Sequence, residues 1–152
     1  MAPVSSDHTM KTVLAAWGIA NPKPEVQKAF FGYVNRCGAK VTSRKNEDGT
    51  FDTYYWRADQ DPDSYELCRI PKDGKGKRSF ADVCPQELTN AMLLILNDQV
   101  SMTQEDLVKE CSALFGFART ADNIQNQMAK AIEYAVQSGK MRIENDRLFA
   151  NA

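Results

Sequence analysis

Between Pro85 and Ala150 the apolar residues recur first at helical and then at strand spacing, and the punctuation between them divides the run into three helices and a hairpin. Pro85 suits the first turn of a helix, where no N–H donor is needed, and the run QELTNAMLLILND that follows is apolar over most of its circumference. A helix of that kind is buried on more than one side. Thr103 and Asp106, three apart, form a capping box, with Met102 and Leu107 placed as a hydrophobic staple. Leu107, Val108, Cys111, Leu114 and Phe115 then share one face, and Gly116 stands where a left-handed cap ends the helix. From about Asp122 to Gln137, Ile124, Met128, Ala131, Ile132 and Ala135 form a single stripe. Ser138-Gly139 breaks that helix, and KMRIE and RLFA about Asn145-Asp146 read as a hairpin. Three helices and a terminal hairpin make the winged relative of the helix-turn-helix, a module used on nucleic acid and also for protein contacts.

The amino-terminal part carries the same pattern ninety-eight positions earlier, with Ala15-Ala-Trp-Gly-Ile-Ala20 falling on Ala113-Leu-Phe-Gly-Phe-Ala118. Val26, Phe30 and Val34 then fall on Ile124, Met128 and Ile132, and KVTSRK and TFDTYYWR flank a turn at Asn46 to Gly49. A short polar leader precedes this and supplies no counterpart of the helix that begins at Pro85. The expected fold class is therefore α+β: two winged-helix-like repeats, the first lacking its own first helix. The expected boundaries are residues 1–57 for the partial repeat, 58–84 for a linker with a strand and a basic loop, and 85–152 for the complete module. Three ways to close the first core are open: the broadly apolar helix from Glu87 to Leu96 with Leu94 buried, the remainder of a longer chain, or a second copy. In the linker, YELCRI reads as a strand and Pro71 to Ser79 as a glycine-lysine loop.

Composition narrows the chemistry. With 152 residues, 43% hydrophobic and 26% charged, the chain is an ordinary globular one, and its longest apolar run is far short of a membrane span. MAPVSSDH has neither a basic nor an apolar signal region, so a cytoplasmic location and no membrane partner are expected. Cys37, Cys68, Cys84 and Cys111 lie far apart, and His8 in the leader is the sole histidine, so neither a zinc site nor a Cys-His or Ser-His nucleophile is expected. Asp59, Asp61 and Asp63 lack the glycine and distal glutamate of a calcium loop, and no GxxxxGK[ST] phosphate loop is present. No enzyme activity, metal or cofactor is expected.

Charge limits the strength of any nucleic-acid contact, because residues from Pro85 onward carry six Lys/Arg against nine Asp/Glu. On the third helix the outward face presents Asn126, Lys130, Glu133 and Gln137, with Asn123 at its edge. Arg119 in the preceding turn and Arg142 and Arg147 on the wing add positive charge, and Lys72, Lys75, Lys77 and Arg78 form a basic loop suited to backbone phosphates. Trp17, Phe30, Phe115 and Phe117 are expected at inward or turn positions. On an edge strand, alternation would expose Tyr55 and bury Tyr54 and Trp56.

The segments YYWRAD, YELCR, CPQELTNAMLLIL, TQEDLVKECSALFGFART, IQNQMAKAIEYAVQSGK and RLFA, spanning roughly Tyr54 to Phe149, resemble the uncharacterised C-terminal module of large bacterial superfamily I helicase-like proteins. The resemblance implies an accessory, non-catalytic domain of a nucleic-acid-processing machine, with DNA or RNA and a helicase-like protein as partners. The alternative is a protein-interaction or dimerisation module that binds no nucleic acid.

Overall fold

The structure, a computed structural model, describes residues 2–72 and 78–151. Among these residues the chain is α+β, with five α-helices and two antiparallel three-stranded sheets, and it divides into two compact units, Met1–Ser64 and Tyr65–Ala152. No helix among the described residues is long and apolar enough to cross a membrane.

The first unit runs β1 (Val4–Ser5), α1 (Ser6–Ala16), α2 (Pro24–Arg36), β2 (Lys40–Lys45) and β3 (Phe51–Trp56), with sheet order β1-β3-β2. The polar leader is not loose: Ser5 caps α1, its hydroxyl accepting from the His8 amide at 3.1 Å, so His8 sits in the first turn of a helix. Gly18, at φ 77°, ends α1, and Pro24 opens α2. The β2–β3 turn closes with the Asn46 amide donating to the Thr50 carbonyl at 2.8 Å and with Gly49 at φ 83°. Tyr55 is buried, contrary to the alternation expected of an edge strand. The reason is topological, since β3 is the middle strand, with Val4 of β1 and Val41 of β2 both opposite Tyr55. Tyr54, Tyr55 and Trp56 form the core with Met10 and Leu14, and the Trp56 indole donates to Thr42 Oγ1 at 2.9 Å. Trp17 stands in the turn after α1 but is 78% exposed, so it is not part of the core. Helix α2 has no fully buried residue; Val26, Phe30, Phe31 and Val34 are half-buried.

The second unit runs through a 3-10 turn (Phe80–Asp82), α3 (Pro85–Gln99), β4 (Ser101–Thr103), α4 (Gln104–Leu114), α5 (Asp122–Gln137), β5 (Met141–Glu144) and β6 (Arg147–Ala150), with sheet order β4-β6-β5. Thr103 caps α4, accepting from the Asp106 amide at 3.2 Å, and Gly116, at φ 87°, ends it. Asn145 and Asp146, at φ 50° and 57°, supply the left-handed pair that a two-residue hairpin needs. Leu88, Met92 and Leu96 of α3, Leu107 and Cys111 of α4, and Met128 and Ile132 of α5 build the core, which Met141 and Leu148 close from the sheet. Phe80 stands edge-on to Phe115 and Phe117, with ring centroids 5.8 and 5.4 Å apart.

Two expectations fail here. Residues 65–70 form no strand; the Asn90 side-chain amide holds the Tyr65 and Leu67 carbonyls at 2.9 and 3.0 Å in place of a neighbouring strand. Leu94, expected to be buried, is 50% exposed, because α3 is covered all round only in its first turns, where Gln86, Glu87, Leu88 and Thr89 are all buried.

The two units correspond element by element. Helix α1 matches α4 at both ends at the ninety-eight-residue offset, as do the caps Ser5 and Thr103 and the helix-ending glycines Gly18 and Gly116. Helices α2 and α5 begin at the same offset, and the third strand lies in the middle of both sheets. The second unit adds α3.

Candidate nucleic-acid interface

Helix α5 is held from behind. Gln127, buried, donates to the Val83 carbonyl at 3.0 Å, and the Thr89 hydroxyl donates to the Ala131 carbonyl at 3.4 Å. These bonds turn the apolar stripe inward and leave Asn123, Asn126, Glu133 and Gln137 exposed on the other side. Gln137 donates to Glu133 at 3.0 Å, so the second half of that face is internally bonded. Lys130 is half-buried and engaged with neighbours.

At the start of α5 the turn from α4 forms an open depression of about 360 Å³, lined by Lys109, Ala113, Phe117, Ala118, Arg119 and Thr120. Lys109 and Arg119 are exposed, and among the described residues neither side chain meets a hydrogen-bond or ion-pair partner. Two unengaged cations thus line the depression at the start of α5, the helix whose exposed side carries Asn123 and Asn126. Lys109 was not among the residues the sequence nominated, although its place on the solvent side of α4, two positions before buried Cys111, is readable from the helical period.

The nominated arginines of the wing and of the basic loop are engaged. Arg142 donates to Glu144 at 2.7 Å and to the Ala150 carbonyl at 3.1 Å, and its guanidinium lies 4.8 Å from the Phe149 ring centroid. Arg147 donates to the Ser101 hydroxyl and carbonyl at 2.9 and 2.8 Å, tying β6 to β4. Arg78 reaches inward, donating to Glu87 Oε2 at 2.7 Å. Lys72 is exposed, and Lys75 and Lys77 lie outside the described residues.

Arg78 shares its acceptor with Arg69, whose Nε and Nη2 donate to Glu87 at 2.8 and 2.6 Å while its backbone amide donates at 3.1 Å. The Glu87 side chain is 0% exposed, and its hydrogen bond raises the Arg69 pKa further. This junction pins the segment before α3 onto the helix. It was missed because its members are far apart in sequence, but a carboxylate inside a helix apolar all round demands a cation. In the acidic turn the Arg57 hydrogen bond lowers the Asp59 pKa, and the Ser64 hydroxyl lowers that of Asp61.

Burial pushes the Cys84 thiol up to about 12, with Glu87 adding to the rise, and burial does the same for Cys111. Cys37 is exposed. Iodoacetamide at pH 8 should therefore alkylate Cys37 in the native protein while Cys84 and Cys111 stay unmodified, as read by peptide mass mapping. Equal labelling of Cys84 and Cys37 would mean that the Glu87 junction is open to solvent.

No family model, curated protein or solved structure matches this chain.

Proposed function

We propose that the chain is a non-catalytic accessory module that binds nucleic acid through the α4–α5 turn of its second unit. In this reading the second unit is a winged helix, α5 is its outward helix and β5–β6 its wing, and the first unit is a partial repeat of it. The observation that carries the proposal is the pair of unengaged cations, Lys109 and Arg119, lining one depression at the start of α5, whose exposed side also presents Asn123 and Asn126. Cations neutralise phosphates, and amide side chains hydrogen-bond to phosphate or base edges. Arg142 and Arg147 brace the wing, so the contact centres on the turn. The resemblance to the helicase-like module supports an intracellular nucleic-acid-processing assembly as its setting.

So few free cations support only weak, sequence-independent binding, with a Kd of roughly 10⁻⁴ to 10⁻⁶ M at physiological salt. Duplex and single-stranded DNA should be titrated at two salt concentrations, with the Lys109→Ala/Arg119→Ala double variant alongside. The double variant is expected to bind at least tenfold more weakly at low salt, with a salt slope shallower by about two units. Arg142→Ala is expected to change the slope by less. Equal binding by the double variant and the parent would remove the turn from the interface. Incubation with ATP, Mg²⁺ and labelled DNA is expected to give neither nucleotide hydrolysis nor strand cleavage.

Protein contact is a second reading, favoured by the first unit, where Trp17 and Tyr33 stand exposed.

A further inference from the structure

In the second unit α3 and the 3-10 turn before it pack on α4 and α5. Phe80 meets Phe115, the Val83 carbonyl takes Gln127, and Thr89 reaches the Ala131 carbonyl. The five covered positions Cys111, Phe115, Gln127, Ala131 and Ala135 are each at most 6% exposed. Ninety-eight positions earlier stand Val13, Trp17, Ala29, Tyr33 and Cys37. All five are exposed, Val13 at 39%, Trp17 at 78% and Tyr33 at 67%. Positions related by the same offset are closed in one unit and open in the other, Cys37 standing just past the end of α2, and α2 has no fully buried residue.

We infer that this open face of the first unit is a docking site for one amphipathic α-helix of a partner protein, seated as α3 is seated in the second unit. The second unit supplies the shape argument, since there the equivalent helices, α4 and α5, are closed by a single apolar-faced helix. Area argues the same way. Trp17 and Tyr33, with the smaller residues beside them, offer on the order of 400–500 Å², taking roughly 150–250 Å² per aromatic side chain. A standard interface takes about 800 Å² from each partner, so the face fits a helix laid in a groove and is too small for a stable dimer of this chain.

Charge sets the polarity of the occupant. Arg36 lies with its guanidinium 5.2 Å from the Tyr33 ring centroid and donates to the Gly32 carbonyl at 3.1 Å. Among the described residues it has no carboxylate partner. The docked helix therefore carries apolar residues at i, i+3 or i+4, and i+7, and an Asp or Glu placed to meet Arg36.

This inference rests on the protein-contact reading and is separable from nucleic-acid binding, because Lys109→Ala/Arg119→Ala would leave it untouched. The probe is an acetylated, amidated peptide of this chain's own Pro85–Gln99, which has the required stripe and an acid in its first turn. Titrated into the full chain, it should shift Trp17 emission to the blue and slow alkylation of Cys37 at least fivefold. Tyr33→Glu should weaken binding at least tenfold and Trp17→Ala should remove the emission change, both with an unchanged circular-dichroism melt because both positions are exposed. Absence of a saturable response up to millimolar peptide would overturn the proposal. So would undiminished binding by Tyr33→Glu, which would mean the peptide replaces α3 in the second unit. Sedimentation as a dimer that Tyr33→Glu dissociates would overturn it in favour of a second copy.

Discussion

Replacing Glu87 by Ala should destabilise the second unit by about 3–5 kcal/mol, the cost typical of breaking a buried ion pair by removing one partner. Glu87 receives hydrogen bonds from two guanidiniums and a backbone amide with its side chain fully buried. The two arginines are 24% and 29% exposed, so once freed they recover some hydration, which places this variant toward the lower end. The Arg69→Ala/Arg78→Ala double variant is expected to cost more, because it strands the carboxylate where water does not reach. Replacing all three by leucine should cost least, since no buried charge remains unpaired. Hydrogen exchange of the α3 and α5 amides measures the effect within the second unit. A loss below about 1 kcal/mol in the Glu87→Ala variant would show that water already reaches the junction.

The second large effect separates two leucines of one helix. Leu88→Asp places a charge where exposure is 0%, at the centre of the core, and should leave the second unit unfolded, since an unpaired buried charge costs several kcal/mol. Leu94→Asp, at a half-exposed position, should cost no more than about 1 kcal/mol and leave the fold intact. Soluble yield and far-ultraviolet circular dichroism of the two variants suffice. If Leu94→Asp were as damaging as Leu88→Asp, the solvent side of α3 would be covered by something else.

Local signals in the chain carried most of the second unit. The side-chain cap at Thr103, Gly116, the stripe from Ile124 to Ala135 and the Asn145-Asp146 turn each act within a few residues, and each stands where its chemistry requires. Long-range features were illegible for the same reason. Nothing near Glu87 in sequence announces Arg69 and Arg78. Tyr55 reads as an edge residue until β1 is known to pair beside β3, and a strand of two residues leaves no periodic signal. Trp17 was misread because its pattern matches that of Phe115, while the residue that meets Phe115, Phe80, lies outside the pattern. Of the candidate interface, Arg119, Asn123 and Asn126 were readable as outward. The engagement of Arg78, Arg142 and Arg147 depends on partners that periodicity does not reveal.

The contact surface is tested most directly by amide chemical-shift mapping of the full chain during titration with a short DNA duplex at low salt. Shifts are expected to cluster on residues 109–126, with small changes along the hairpin from Met141 to Ala150 and none at Val13, Trp17 and Tyr33. Shifts confined to the hairpin, or no shifts at all at millimolar duplex, would contradict binding through the α4–α5 turn.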